Sequence, residues 1–263
     1  MSSAFTDPVG LFDLAGKTAL ITGSGGGIGL SLARGLGAAG ARIVLNGRDA
    51  AKLSKAAGIL EEAGVDHTSC AFDVSDDTAV EAAIEQIERD DGPIDILVNN
   101  AGTNRRGAMG DISADDYRMV MNANVDGLFF VTRSVAPYME VRGRGKIINI
   151  CSALSKLGRK GAVAYSGSKG AAAIMTASMC DELAPKGIQV NGIAPGYFLT
   201  EITEVIAQDE AHNTWLINRT PAGRWGEMQD LVGAAIFLAS PASDFVNGHI
   251  LAVDGGLTAV IGG

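Results

Sequence analysis

KTALITGSGGGIG, Lys17–Gly29, joins a short apolar run to a glycine-rich turn, and Gly27–Ala39 beyond it places Ile28, Leu32 and Leu36 at helical spacing. Strand, tight turn and helix follow in that order. The turn misses GxGxxG, because the third glycine would fall on Ile28 or Leu30, and no Gly-Lys-Ser/Thr follows to make a Walker loop. It does satisfy TGxxxGxG, from Thr22 to Gly29. Glycines there let backbone approach a pyrophosphate and present amides at a helix N-terminus, where the helix dipole favours anions.

Downstream the chain alternates strand and helix. Arg42–Asn46 reads as a strand, Ala50–Ala63 as a helix, Asp66–Phe72 as a strand and Asp76–Arg89 as a helix with apolar Val80, Ala83, Ile84 and Ile87. Ile94–Val98 is a continuous apolar run of the kind buried on both faces, ending in Asn99-Asn100-Ala101-Gly102. Ala114–Met139 reads as one long helix carrying Asn122, Asn124 and Asp126 mid-course, where a polar side chain needs a partner. Lys146–Ile150 is a strand ending at Cys151-Ser152, Val163–Leu183 a helix, and Ile188–Ile193 a strand followed by Pro195-Gly196. Tyr197–Thr220 lacks a strand pattern and reads as a mobile flap; Gly226–Leu238 is a last helix and His249–Val253 a seventh strand. The expected fold is a single α/β domain over 1–263, a Rossmann-type doubly wound parallel sheet of about seven strands with helices on both faces.

Ligands of such sheets gather at the carboxyl ends of the strands, which places Asp73 and Asn100–Gly102 on the ligand side. The second strand ends at the position that inspects an adenosine ribose. Here Asn46-Gly47-Arg48 stands there, with Asp49 one step later. Arg48 can make charge-assisted contacts to a 2′-phosphate, which favours NADP, with NAD as the alternative.

Tyr165 and Lys169 are four residues apart on the expected helix and share a face, roughly 6 Å along the axis. A cation about 4–6 Å from a phenol, at an effective dielectric of about 20, supplies about 3–4 kcal/mol, enough to lower the phenol pKa by about two to three. Such a tyrosine exchanges protons with an alcohol or ketone near neutral pH. Alone, the pair is weak evidence; its company decides.

The formal charge of -9 and a pI near 4.8 disfavour nucleic acid and anionic lipid as partners and favour a small molecule. Cys70, Cys151 and Cys180 are odd in number and widely spaced without a CxxC, so neither a disulfide framework nor a metal site is indicated, and a reducing cytoplasm fits. Neither an export signal nor an uninterrupted membrane-length apolar stretch is expected.

Thr22–Gly29, Asn99–Gly102, Asn124, Ser152 and Tyr165 with Lys169, in this order, resemble the short-chain dehydrogenase/reductase family over about Leu14–Leu257. The resemblance implies Ser152 on the substrate oxygen, Tyr165 as acid-base, Lys169 on the nicotinamide ribose, and Asn124 binding a relay water near Lys169. It implies cofactor contacts from Gly23, Ser24, Gly27, Ile28, Gly29, Asp73, Val74, Asn100, Ala101, Gly102, Tyr165, Lys169, Pro195, Gly196 and Thr200. Gly26 departs from many NADP-using members, which carry a basic residue in this turn. Asn46–Asp49, Asn104–Gly107 and Arg219–Gly226 further resemble members that interconvert D-gluconate and 5-keto-D-gluconate, parts of which are shared with 3-oxoacyl thioester reductases. A carboxylate substrate needs cationic or amide donors, and Arg105, Arg106, Arg159 and Lys160 follow strand ends near the expected mouth. A homotetramer is implied by resemblance. A dinucleotide-binding regulator with a vestigial site is the non-enzymatic alternative, which intact Ser152, Tyr165 and Lys169 oppose.

Overall fold

A computed structural model of the chain describes residues 7–199, 203 and 208–261. Seven strands form one parallel sheet: β1 Thr18–Ile21, β2 Arg42–Gly47, β3 His67–Ala71, β4 Ile94–Asn99, β5 Gly145–Ile150, β6 Ile188–Pro195 and β7 Ile250–Val253. Their order is β3-β2-β1-β4-β5-β6-β7. The winding direction reverses between β1 and β4, and a crevice opens there beyond the strand C-termini.

The central strands bury both faces because their residues alternate between two cores. Ala19, Ile21, Ile43, Leu45, Ile96, Val98, Ile148 and Ile150 pack with α1 (Gly27–Ala38), α2 (Ala50–Glu62) and α8 (Gln229–Ala239). Leu20, Val44, Leu97 and Ile147 pack on the other side with α3 (Asp77–Asp90) and α5 (Gly127–Arg142). Successive side chains of a strand point to opposite faces, so a continuous apolar run is what a sheet covered on both sides requires.

Three expectations change. The helix read as Ala114–Met139 is α4 (Ala114–Met121), a π-helical turn at Asn122–Asp126, and α5. The wide turn is closed by the Gly127 amide on the Asn122 carbonyl, five residues back. It places Asn124 inward, with its amide nitrogen donating to Thr103 O (3.0 Å) and Ser168 Oγ (2.9 Å) and its oxygen accepting from the Thr103 amide (2.7 Å). These bonds satisfy a buried amide that a regular helix would have to hold elsewhere. The segment read as a flap contains α7, Glu210–Arg219, started by the Asp209 carboxylate on the His212 amide (3.0 Å). Its periodicity escapes notice because Leu216 is its one buried residue among those described. Residues 200–202 and 204–207 of that segment lie outside the described ones. The last helix starts at Gln229 rather than Gly226.

Candidate active site

The crevice at the reversal point encloses about 580 Å³. Its floor is the Gly23–Gly29 turn. Gly23 has φ +63°, and a Cβ there would stand 2.8 Å from Ala101 Cα; a Cβ on Gly29 would stand 2.5 Å from both Asn100 Nδ2 and Gly23 O. These two glycines let β1 and β4 loops touch. Gly26 and Gly27 serve a different end: beyond adjoining backbone, nothing lies within 4 Å of where their Cβ would be, and both line the crevice. The first turn of α1 has no side-chain cap. Uncapped amides beside open space fit a dinucleotide pyrophosphate. Asn100 fastens the turn, donating to Thr22 O (2.9 Å) and Gly23 O (3.0 Å).

Gly23, Gly27, Ile28, Gly29, Arg48, Asp73, Val74, Asn100, Ala101, Gly102, Ser152, Tyr165, Lys169, Pro195 and Gly196 all line this crevice. Ser24 does not. It is fully buried, its hydroxyl donating to Ile21 O (2.8 Å) and accepting from the Asn46 amide (2.9 Å), so it ties β1 to β2. Thr200 lies outside the described residues. Gly25, Gly47, Lys52, Phe72, Thr103, Cys151 and Phe198 line the crevice without having been anticipated. Lys52 had a signal, one helical turn beyond Arg48.

At the β2 end, Asn46 is buried, with its oxygen facing the Gly23 amide (3.3 Å) and its nitrogen donating to Cys70 O and Phe72 O (3.2 and 3.1 Å). Asp49 is spent as the α2 N-cap, accepting from the Ala51 and Lys52 amides (2.9 and 3.1 Å). Arg48 meets Asp73 at 3.2 Å. Partial burial works to raise the Asp73 carboxyl, but hydrogen bonds from Ser75 and Arg48 outweigh it and hold the carboxyl below its ordinary value.

The α6 helix (Val163–Leu183) brings Tyr165 and Lys169 to the opposite wall, with the Lys169 Nζ 5.9 Å from the Tyr165 ring centroid. Electrostatics differ from the expectation of a cation-depressed phenol. Lys169 is itself buried, donates to Ile150 O at 2.6 Å, and is pushed down by desolvation against a smaller opposing effect of Cys151. Burial likewise pushes the Tyr165 phenol up, and a hydrogen bond with Ser152 and the Arg106 charge pull it back only in part. Burial thus favours the protonated phenol. The Asn124 side chain makes its hydrogen bonds to Thr103 and Ser168 and none to Lys169.

The four cations expected at the mouth separate. Arg105 turns away to Asp116 (3.4 Å) at the start of α4, and Lys160 is exposed. Arg106 and Arg159 do not line the crevice either; partial withdrawal from water and the Arg159 charge lower the Arg106 guanidinium, and the Tyr197 and Tyr165 phenols act on it in the opposite sense, which links the two arginines electrostatically. Their loops are joined by the Gly107 amide on Gly161 O (3.2 Å). Neither arginine meets a carboxylate among the described residues.

A profile of the family described as short chain dehydrogenase matches residues 17–211. The chain belongs to that family. The dehydrogenase is 51% identical over 248 residues to gluconate 5-dehydrogenase of Gluconobacter oxydans, covering 94% of this chain and 97% of that protein. It is 49% identical over 251 residues to 5-keto-D-gluconate 5-reductase of Escherichia coli K12, covering 95% and 99%. A crystal structure of a gluconate 5-dehydrogenase from Burkholderia cenocepacia, in complex with NADP and tartrate, superposes with a TM-score of 0.93 at 51% identity, covering 95% of this chain and 98% of that one.

Proposed function

We propose that the dehydrogenase interconverts D-gluconate and 5-keto-D-gluconate with NADP(H). The observation that carries this reading is the joining of the loops that hold Arg106 and Arg159, by the Gly107 amide on Gly161 O (3.2 Å), with Arg106 acting on Tyr165 and neither guanidinium paired to a carboxylate among the described residues. Converging like charges in an acidic chain are costly unless an anion completes them, and a sugar-acid carboxylate is such an anion. The names of the curated relatives support the same substrate. A 3-oxoacyl thioester offers no carboxylate to that pair.

When bound, the nicotinamide cofactor supplies and accepts the hydride. The chain does the rest. Ser152 orients the carbonyl or alcohol oxygen, Tyr165 delivers or removes its proton, and Lys169 holds the nicotinamide ribose. Asn124 binds a relay water near Lys169, its side-chain amide being committed to Thr103 and Ser168. For the adenosine end, Asp49 is occupied as a helix cap, and Arg48, with Lys52 lining the same crevice, is placed to read the 2′ position and suits a phosphate. The NADP named in the Burkholderia complex supports this choice. Replacing Arg48 with Ala is expected to raise the KM for NADPH about tenfold, as for one exposed charge-assisted hydrogen bond, with the KM for NADH unchanged. Equal changes for both cofactors would refute the assignment.

The substrate reading is tested by steady-state assays of 5-keto-D-gluconate against acetoacetyl thioester. Arg106→Ala is expected to raise the KM for 5-keto-D-gluconate about tenfold or more while kcat holds, the pattern of a lost ground-state contact. Faster turnover of the thioester would overturn the substrate, and an unchanged KM would remove Arg106 from the site. The enzyme is read as one domain over 1–263, assembled as a homotetramer in the cytoplasm. Exposed Phe129, Ile174 and Val163 on α5 and α6 and three unpaired cysteines are in keeping with that.

A further inference from the structure

Arg159 is held from outside the crevice. Its guanidinium lies 5.3 Å from the Tyr197 ring centroid and 5.7 Å from that of Trp215, and it donates to the Tyr197 hydroxyl. Tyr197 is in turn met edge-on by Trp225, ring centroids 6.0 Å apart and planes at 85°. Trp225 Nε1 donates to Asn213 Oδ1 on α7 at 2.7 Å. One stack therefore runs Trp225, Tyr197, Arg159, Trp215, with α7 supplying Trp215 and anchoring Trp225. An isolated arginine next to another arginine would swing into solvent. A flat guanidinium on aromatic faces keeps its charge, is weakly hydrated and loses few rotamers when fixed.

We propose that this aromatic bracket positions Arg159 beside Arg106 to receive the substrate carboxylate, so that preference for acids over neutral ketoses is set by α7 and the Tyr197 loop. Tyr197, Trp215 and Trp225 are positioning residues acting through Arg159. The proposal rests on the sugar-acid reading above and assigns a role to Trp225 of the Arg219–Gly226 segment, which the catalytic geometry leaves unused. It also gives α7, mostly polar and scarcely buried, a reason to be a helix at this place.

The test compares 5-keto-D-gluconate with L-sorbose, a neutral ketose that carries a hydroxymethyl group in place of the carboxylate. Trp215→Ala is expected to raise the KM for the acid about tenfold, the scale of a partly desolvated cation–π contact, with kcat within about twofold and kcat/KM for L-sorbose unchanged. Trp215→Phe restores most of the affinity, and combining Trp215→Ala with Arg159→Ala adds little to either alone. Trp215 is half exposed, so its truncation spares the core. Equal losses on acid and neutral substrates would mean a structural role and overturn the proposal. A second readout needs no turnover. The chain has 2 tryptophans, both in the bracket, so Trp225→Phe leaves Trp215 as the sole emitter. Its fluorescence is expected to change saturably with D-gluconate, at constant ionic strength, and not in the Arg159→Ala background. A flat titration in protein that still reduces 5-keto-D-gluconate defeats the bracket and leaves the function standing. A saturable signal in protein that does not reduce it supports the bracket and defeats the substrate.

Discussion

Tyr165→Phe is expected to lower turnover of 5-keto-D-gluconate by about 10²- to 10⁴-fold, the range over which a positioned general acid contributes. NADPH affinity should stay within about twofold of its original value, because phenylalanine keeps the ring that packs against the crevice wall. The pH dependence of the parent enzyme follows from the direction in which its phenol is displaced. Burial holds Tyr165 above the ordinary phenol value despite Ser152 and Arg106, so across the neutral range it carries its proton and is ready to give it to a ketone. Reduction should be flat there and decline only as pH rises through the phenol pKa. Oxidation needs the deprotonated form and should climb with pH over the same interval. Stopped-flow single turnovers in both directions, at several pH values, measure this without interference from product release. Oxidation that is already pH-independent at neutrality would show a phenolate in the resting enzyme and contradict the burial argument.

Lys169→Met should cost turnover by a factor on the order of 10² or more and weaken cofactor binding as well, the outcome expected if the amine, which lines the crevice with Tyr165, holds the nicotinamide ribose as proposed. The change keeps side-chain volume and removes the charge and the bond to Ile150 O. It should also alter stability in a direction opposite to intuition about salt and charge. Desolvation depresses the Lys169 pKa in the folded chain, while in the unfolded chain it is about 10.4. Just below that value the unfolded state binds more protons, so the fold loses stability as pH falls from about 10.4 toward the depressed pKa of the folded chain. The methionine variant lacks this slope. Its melting temperature should therefore gain on that of the parent enzyme as pH is lowered through that window. Parallel melting curves would show that the amine is solvated as freely in the fold as outside it. Loss of activity with relief of a buried charge is the trade expected where function holds a group in an unfavourable medium.

The strands, the β1 turn and α6 were legible because their information is periodic and local. The unbroken burial of Thr18–Ile21 and Ile94–Asn99 answers to two covered faces, and the spacing of Tyr165 and Lys169 answers to 3.6 residues per turn. Motif spacing likewise led to most of the crevice lining, from Gly23 to Gly196. Helix α7 was missed for the converse reason: among its described residues Leu216 alone is buried, so no apolar stripe marks it.

What the order of residues determined by itself was the doubly wound sheet and the facing of Tyr165 by Lys169, since both follow from regular backbone geometry. Tertiary structure decided between neighbours that the sequence could not separate. Arg105 leaves for Asp116 while Arg106 stays with Arg159, because an irregular loop fixes side-chain direction only through distant partners, here Asp116 and the Gly107–Gly161 bond. It turned Ser24 inward to β2 and set the proton on Tyr165. The last point is the most general: attraction between two groups can be read from their spacing, but desolvation sums over everything packed around them, and that sum exists only in the folded chain.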